Sequence, residues 1–331
     1  MMKEVSEIAR NSILTETQKM FKPLHMESLG KHMTDAYDFS KKIHILTDSS
    51  SDIPHDLVEA HGIEIVPIML THEGRSFREY YDITSEDYCR LLETSSEIPG
   101  TAMTTPTVFL ESYNRAFERG CTHLLAVLIN GSGSGTYQAA CLAKSMFEEE
   151  QGEGKMTIEV IDSKTYTYIY GHIVVKAAEM REQGESFDAI VSVVKSRLNR
   201  VEAYLGVYSL KFLKKSGRIS GGAAFVGEAL GLKPISHVYD GAVKVCDKVR
   251  GEKALVAGMS KKVSARVVQP DKQTAILLYG DVPAERLDEM EKRLRTEIGF
   301  RDVERVAIGP SVLTNTGPLA MAVAYYGTPR D

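Results

Sequence analysis

The sequence predicts a two-domain α/β protein: an N-terminal α/β sandwich on a parallel sheet, then a C-terminal α+β domain with a mainly antiparallel sheet. Three observations predict it. Short apolar runs at 43–47, 124–129 and 158–161 alternate with helical spacing, as parallel strands joined by right-handed crossovers do. Past residue 200 the rhythm changes, and Leu232–Tyr239 and Ala242–Val249 flank Asp240-Gly241, a hairpin signal. A chain of 331 residues is long enough for two cores. The expected division is a helical extension over 1–42, an α/β domain over 43–200 and an α+β domain over 201–331.

Composition narrows the function classes. Apolar content of 43% and charged content of 26% are those of a soluble globular protein. A net charge of −5 and a pI near 6.0 argue against a nucleic-acid partner, which needs a basic surface. Cys89, Cys121, Cys141 and Cys246 are scattered without a Cys-x-x-Cys pair, so buried free thiols in a reducing cytoplasm are expected. The nine histidines form no compact ligand spacing, and no metal site is expected. No apolar run reaches 18 residues, so stable membrane insertion is not expected.

Taken in order, Ile43–Thr47 is the first predicted strand and runs into Asp48-Ser-Ser-Ser-Asp52. Pro54 suits the first turn of a helix to about Ala60. Ile63–Leu70 reads as one apolar strand, and Thr71–Tyr81, with Glu73-Gly74, as a hairpin excursion. Thr84 with Asp87 resembles a capping box. A small-residue loop, Gly100–Thr105, precedes a helix that starts at Pro106, where Thr105 is the expected cap and Thr101 is left free. Helices follow at about 167–183 and 186–199, then a strand at 201–208 and a short basic helix at 210–216. The second half continues with helices near 252–268 and 283–298 and strands at 274–279, 305–308 and 320–326. The segment Thr314–Leu319, assigned neither helix nor strand, leads into the last of these.

The chemistry is expected at Leu124–Ala140, which reads strand, glycine turn, helix. The first N–H groups of such a helix lack backbone partners and favour an anion. Ser134 or Thr136 would cap the helix, and either hydroxyl can reach a ligand. The turn fits neither the dinucleotide fingerprint nor the P-loop, since Thr136 replaces a required glycine and no lysine is present. Gly133 stands where a nucleophile elbow needs serine. The carboxyl ends of all three parallel strands carry hydroxyl or acidic residues along one sheet edge, where open α/β sheets bind ligands. Arg218, between small residues, can fork onto a carboxylate or phosphate; equally, it reads as a surface arginine. No convincing nucleophile accompanies these groups. They point to a carrier of an oxyanion in an interdomain cleft. The alternative is an enzyme or phosphotransfer subunit using Asp48, Asp162 or a histidine distant in sequence on a small anionic substrate.

A series of segments then matches a known family: Thr47-Asp48-Ser49, Pro99-Gly-Thr101, Ser134-Gly-Thr-Tyr-Gln-Ala-Ala140, Val160-Ile-Asp-Ser163, Leu213-Lys-Lys-Ser-Gly-Arg-Ile-Ser220, Gly231-Leu-Lys-Pro-Ile235, Lys248-Val-Arg-Gly251 and Thr316-Gly-Pro318. In order and spacing, over about 43–327, the chain resembles the DegV family. The resemblance implies a long-chain fatty acid bound in a tunnel between two domains, with no other cofactor. Some members present the carboxylate to a fatty acid kinase subunit. Carried over, the carboxylate ligands fall on Thr101, on Ser134 with Gly135, and on Arg218, while Asn315 occupies the place of the family's histidine. Other departures are Ala102, Met103, Asn130, Gly131, Gly133 and Leu319. Asparagine does not titrate, so acyl binding is expected to change little between about pH 6 and 8.

Overall fold

The computed structural model describes residues 42–209, 211–217 and 231–330. The expected N-terminal extension, apart from its last residue, and Arg218 lie outside the described residues. In the N-terminal half, β1 (Ile43–Asp48), the helix α1 (His55–His61) and β2 (Glu64–Val66) lead into a small excursion, β3 (Met69–His72) and β4 (Arg75–Arg78). The chain continues through α2 (Ser85–Thr94), β5 (Gly100–Ala102), α3 (Pro106–Glu118), β6 (His123–Leu128), α4 (Thr136–Gln151) and β7 (Thr157–Asp162). Helices α5 (Tyr168–Glu182) and α6 (Phe187–Leu198) join the halves. The second half holds β8 (Val201–Val207), α7 (Lys211–Ser216), β9 (Leu232–Tyr239), β10 (Ala242–Arg250), α8 (Glu252–Ser264), β11 (Thr274–Tyr279), α9 (Ala284–Arg293), β12 (Asp302–Ala307), α10 (Pro310–Thr316) and β13 (Ala320–Tyr326).

The N-terminal sheet has the order β2-β1-β6-β7, and all its pairings are parallel. The buried runs of β1 and β6 explain this: both faces are covered, so neither alternates. The C-terminal sheet has the order β10-β9-β8-β13-β11-β12. Its pairings are antiparallel except for β11 with β12. The expected fold class holds.

Several local expectations are corrected. Ile63–Leu70 is not one strand. Pro67 interrupts it because it has no N–H for a ladder, so β2 stays in the parallel sheet. Past the break, β3 leaves to pair antiparallel with β4 and β5. Gly100–Ala102, expected as loop, is the third strand of this small sheet. The segment before β13, where no helix was expected, contains α10, started by Pro310 and ended at Gly317, whose φ is +86°. The Thr84–Asp87 cap forms, with the Asp87 N–H on the Thr84 hydroxyl at 3.1 Å. Thr105 occupies the cap position of α3, but its hydroxyl makes no cap bond. The four cysteines are free, and Cys89 and Cys121 are buried; Cys246 is exposed, contrary to expectation.

Candidate functional site

A cavity with about 910 Å³ of empty space, including its open end, lies between the two sheets. Its floor is the inner face of the C-terminal sheet. Leu205, Ala322 and Leu278 form one cross-strand row on β8, β13 and β11, and Val238 pairs with Val243 on β9 and β10. Ile68, Ile129 and Ile169 close the other side from the N-terminal domain. Such a wall gains from an apolar occupant and offers a charged one nothing along its length.

Some polar groups lie where the cavity meets the surface. Thr101, on β5, and Ser134, in the turn before α4, line both the cavity and an outer depression, which Gly135 and Leu142 extend. Asn315, in the last turn of α10, also lines the cavity, and its amide donates to the Ser311 carbonyl at 2.8 Å. Thr136 is not among the lining residues. It is fully buried, and its hydroxyl meets that of Ser134 at 2.9 Å, so it orients Ser134 from behind. Of the expected residues, Thr101, Ser134 and Asn315 line the cavity, Gly135 lines the outer depression beside Thr101 and Ser134, Thr136 stands behind Ser134, and Arg218 is not described.

The glycine turn is shaped by its neighbours. A side chain at Gly133 would place its Cβ 2.5 Å from the Tyr166 hydroxyl, and one at Gly135 would overlap the Met103 sulfur. Tyr166 therefore takes the wall position that Gly133 vacates, held by the Asn130 amide at 2.6 Å. The same amide bonds the Gly241 carbonyl at 2.8 Å, and Gly241 N–H returns a bond to the Lys164 carbonyl at 2.8 Å. Asn130 and Gly133 are thus one packing solution that ties the turn to the β9–β10 hairpin. Asp162, a candidate acid, accepts the Gly131 and Lys164 amides at 2.9 and 2.8 Å, which is a structural duty.

Two cavity-wall hydroxyls went unnoticed in the sequence, those of Ser50 and Ser311. They meet at 2.5 Å across the domain seam. Behind them lies a buried carboxylate cluster. Glu79 accepts from the Ser49 hydroxyl and the Ser311 N–H, both at 2.6 Å. Asp48 accepts from Tyr170 OH and Ile129 N–H, both at 2.7 Å. Burial raises Glu79 to about 7 and Asp48 to about 6, and burial with the Glu79 charge raises Asp52 well above the usual carboxylate range. This corrects the expectation that no group beside the site titrates near neutrality. The run Asp48-Ser-Ser-Ser-Asp52 was the available signal for two of the three carboxylates. Glu79 and Ser311 lie 232 residues apart in sequence and carried none.

Among the described residues no group of three potential ligands is placed to hold a metal ion, and no helix is long and apolar enough to cross a membrane. The model of the DegV family of uncharacterised proteins matches residues 42–328. The chain belongs to the DegV family. A DegV domain-containing protein of Caldanaerobacter subterraneus is 33% identical over 285 residues, 86% of this chain and 99% of its own. Among solved structures, a fatty-acid-binding DegV family protein of Thermus thermophilus is 27% identical with a TM-score of 0.78, covering 86% of this chain and 99% of its own. A stearic acid-binding protein of Eubacterium ventriosum is 25% identical with a TM-score of 0.76, covering 86% of this chain and 97% of its own.

Proposed function

We propose that this DegV protein is a carrier that holds one long-chain fatty acid, or a related acyl carboxylate, between its domains. The observation that carries the reading is a mainly apolar cavity, floored by Leu205, Ala322 and Leu278, two of whose hydroxyl residues, Thr101 and Ser134, also line the outer depression. The chain lies over the row Leu205, Ala322 and Leu278, and the carboxylate sits at Thr101, Ser134, the backbone of Gly135, and Asn315. Arg218 is assigned to the same head group. Relatives of the same fold that bind fatty acids support the acyl ligand. The reading follows the division into 43–200 and 201–331, with the cavity at the junction. We assign no catalytic residue and place the protein in the cytoplasm.

The position of the head group gives the carrier a use. At the junction of cavity and outer depression, the carboxylate is within reach of a second protein while the tail stays buried. A kinase subunit that phosphorylates the carboxylate is the partner this arrangement suits. The test is a titration of long-chain fatty acids against Ser134→Ala and Thr101→Val. Each variant forfeits a hydrogen bond to a charged group, about 1.5–3 kcal/mol, and affinity falls roughly 10- to 100-fold with the fold intact. Wild-type affinity in both variants would place the head group elsewhere.

A further inference from the structure

The amino end of α10 belongs to the C-terminal domain but is held by carboxylates of the other. Gly309 N–H donates to Asp52 Oδ2 at 2.8 Å, and Ser311 N–H to Glu79 Oε1 at 2.6 Å. A Cβ at Gly309 would overlap the Asp52 carboxylate, so the close approach requires glycine there. The same short helix supplies Ser311, Val312 and Asn315 to the cavity wall. Asp52 and Glu79 themselves line a separate outer cleft on the far side.

Their surroundings offer little compensation for charge. Asp48 lies beside them under the Tyr170 hydroxyl. Across the outer cleft stand His55, Asp82, Glu86, Asp87 and Arg305. Arg305 is engaged by Asp288 and Glu291, and Asp82 by Arg78. From α2, Tyr88 bonds Thr314 at 2.6 Å, and α10 itself carries no acidic or basic side chain. Two like charges close together in a buried site disfavour joint ionisation, so such pairs retain a proton into the neutral range.

We propose that Asp52 and Glu79 are positioning residues that clamp α10 and link acyl exchange to pH. With one proton between them, both amide bonds hold and the cavity wall is closed. When that proton leaves, the two carboxylates repel, and the amino end of α10 loosens with Gly309 and Ser311. The effect on ligand exchange rests on the acyl-binding reading above; the clamp itself does not.

Two measurements on the full chain test it. The first is hydrogen exchange of peptides covering 308–317 from pH 6 to 8.5, corrected for the intrinsic rate. The second is release of a bound fluorescent long-chain fatty acid over the same range. In the wild type, protection falls and release quickens by about tenfold, the effect of one unit of differential pKa. Glu79→Gln and Asp52→Asn each keep an oxygen for the amide but remove an ionisable group, and each flattens both profiles. Flat protection in the wild type, or variants with the wild-type slope, would overturn the clamp. Sloping protection with flat release would overturn its link to exchange. A protein that binds no acyl chain at any pH, yet keeps the sloping protection, retains the clamp and loses the carrier reading.

Discussion

Ala322→Phe is expected to weaken fatty acid binding about two-hundredfold and leave the protein folded. Ala322 sits on β13 between Leu205 and Leu278 in the row that floors the cavity. A phenyl ring there projects into space the acyl chain needs. Each methylene displaced from apolar surroundings forfeits about 0.8 kcal/mol, so four of them weaken binding about two-hundredfold. The ring enters existing space, so it escapes much of the strain that makes overpacked cores unstable. Thermal unfolding of ligand-free protein and a fatty acid titration check the two halves. Unaltered affinity in a folded variant would mean that the chain does not lie along this row.

Glu79→Gln is expected to stabilise the protein at pH 8 and leave it nearly unchanged at pH 4.5. Burial raises the Glu79 carboxyl from 4.5 to about 7 in the folded state, so the folded chain binds more protons than the unfolded chain between those values. Stability from this group is therefore complete below about 4.5 and is lost as pH rises through 7. At 1.36 kcal/mol per unit the loss is roughly 3 kcal/mol, an upper figure because Asp52 titrates with it. Glutamine has nothing to ionise and keeps an oxygen for the Ser311 amide. Denaturant unfolding of both proteins across this range should give curves that meet at the acid end, separate between about pH 4.5 and 7, and stay apart above it. Parallel curves would show that Glu79 titrates normally.

The parallel sheet was legible because β1, β6 and β7 carry apolar runs with glycine or acidic breaks, a local signal for a local decision. The hairpin at Asp240-Gly241 was legible for the same reason. What failed was local pattern overruled by position. Pro67 reads as one residue in an apolar stretch, yet it sends β3 into another sheet. Pro310–Thr316 carries serine, threonine and asparagine, residues that compete with the helix for backbone hydrogen bonds. It is helical because Leu313, Thr314 and Thr316 are buried against neighbouring elements. Ser134 could be singled out because small hydroxyl residues at a strand-end edge already suggest a ligand, and Thr101 because Thr105 was the better cap and the family resemblance carries a ligand onto it; both line the cavity. Ser50, Ser311 and Glu79 were not found, since their meeting is a product of domain packing. Gly133 looked like a departure until Tyr166 was seen to occupy its missing side chain.

The most direct test of the carrier reading is native mass spectrometry of the purified protein, with the released ligand identified after denaturation. The account predicts a mass increment of one long-chain acyl carboxylate per chain, absent from Ala322→Phe. A chain at its bare mass that also takes up no added fatty acid would contradict it.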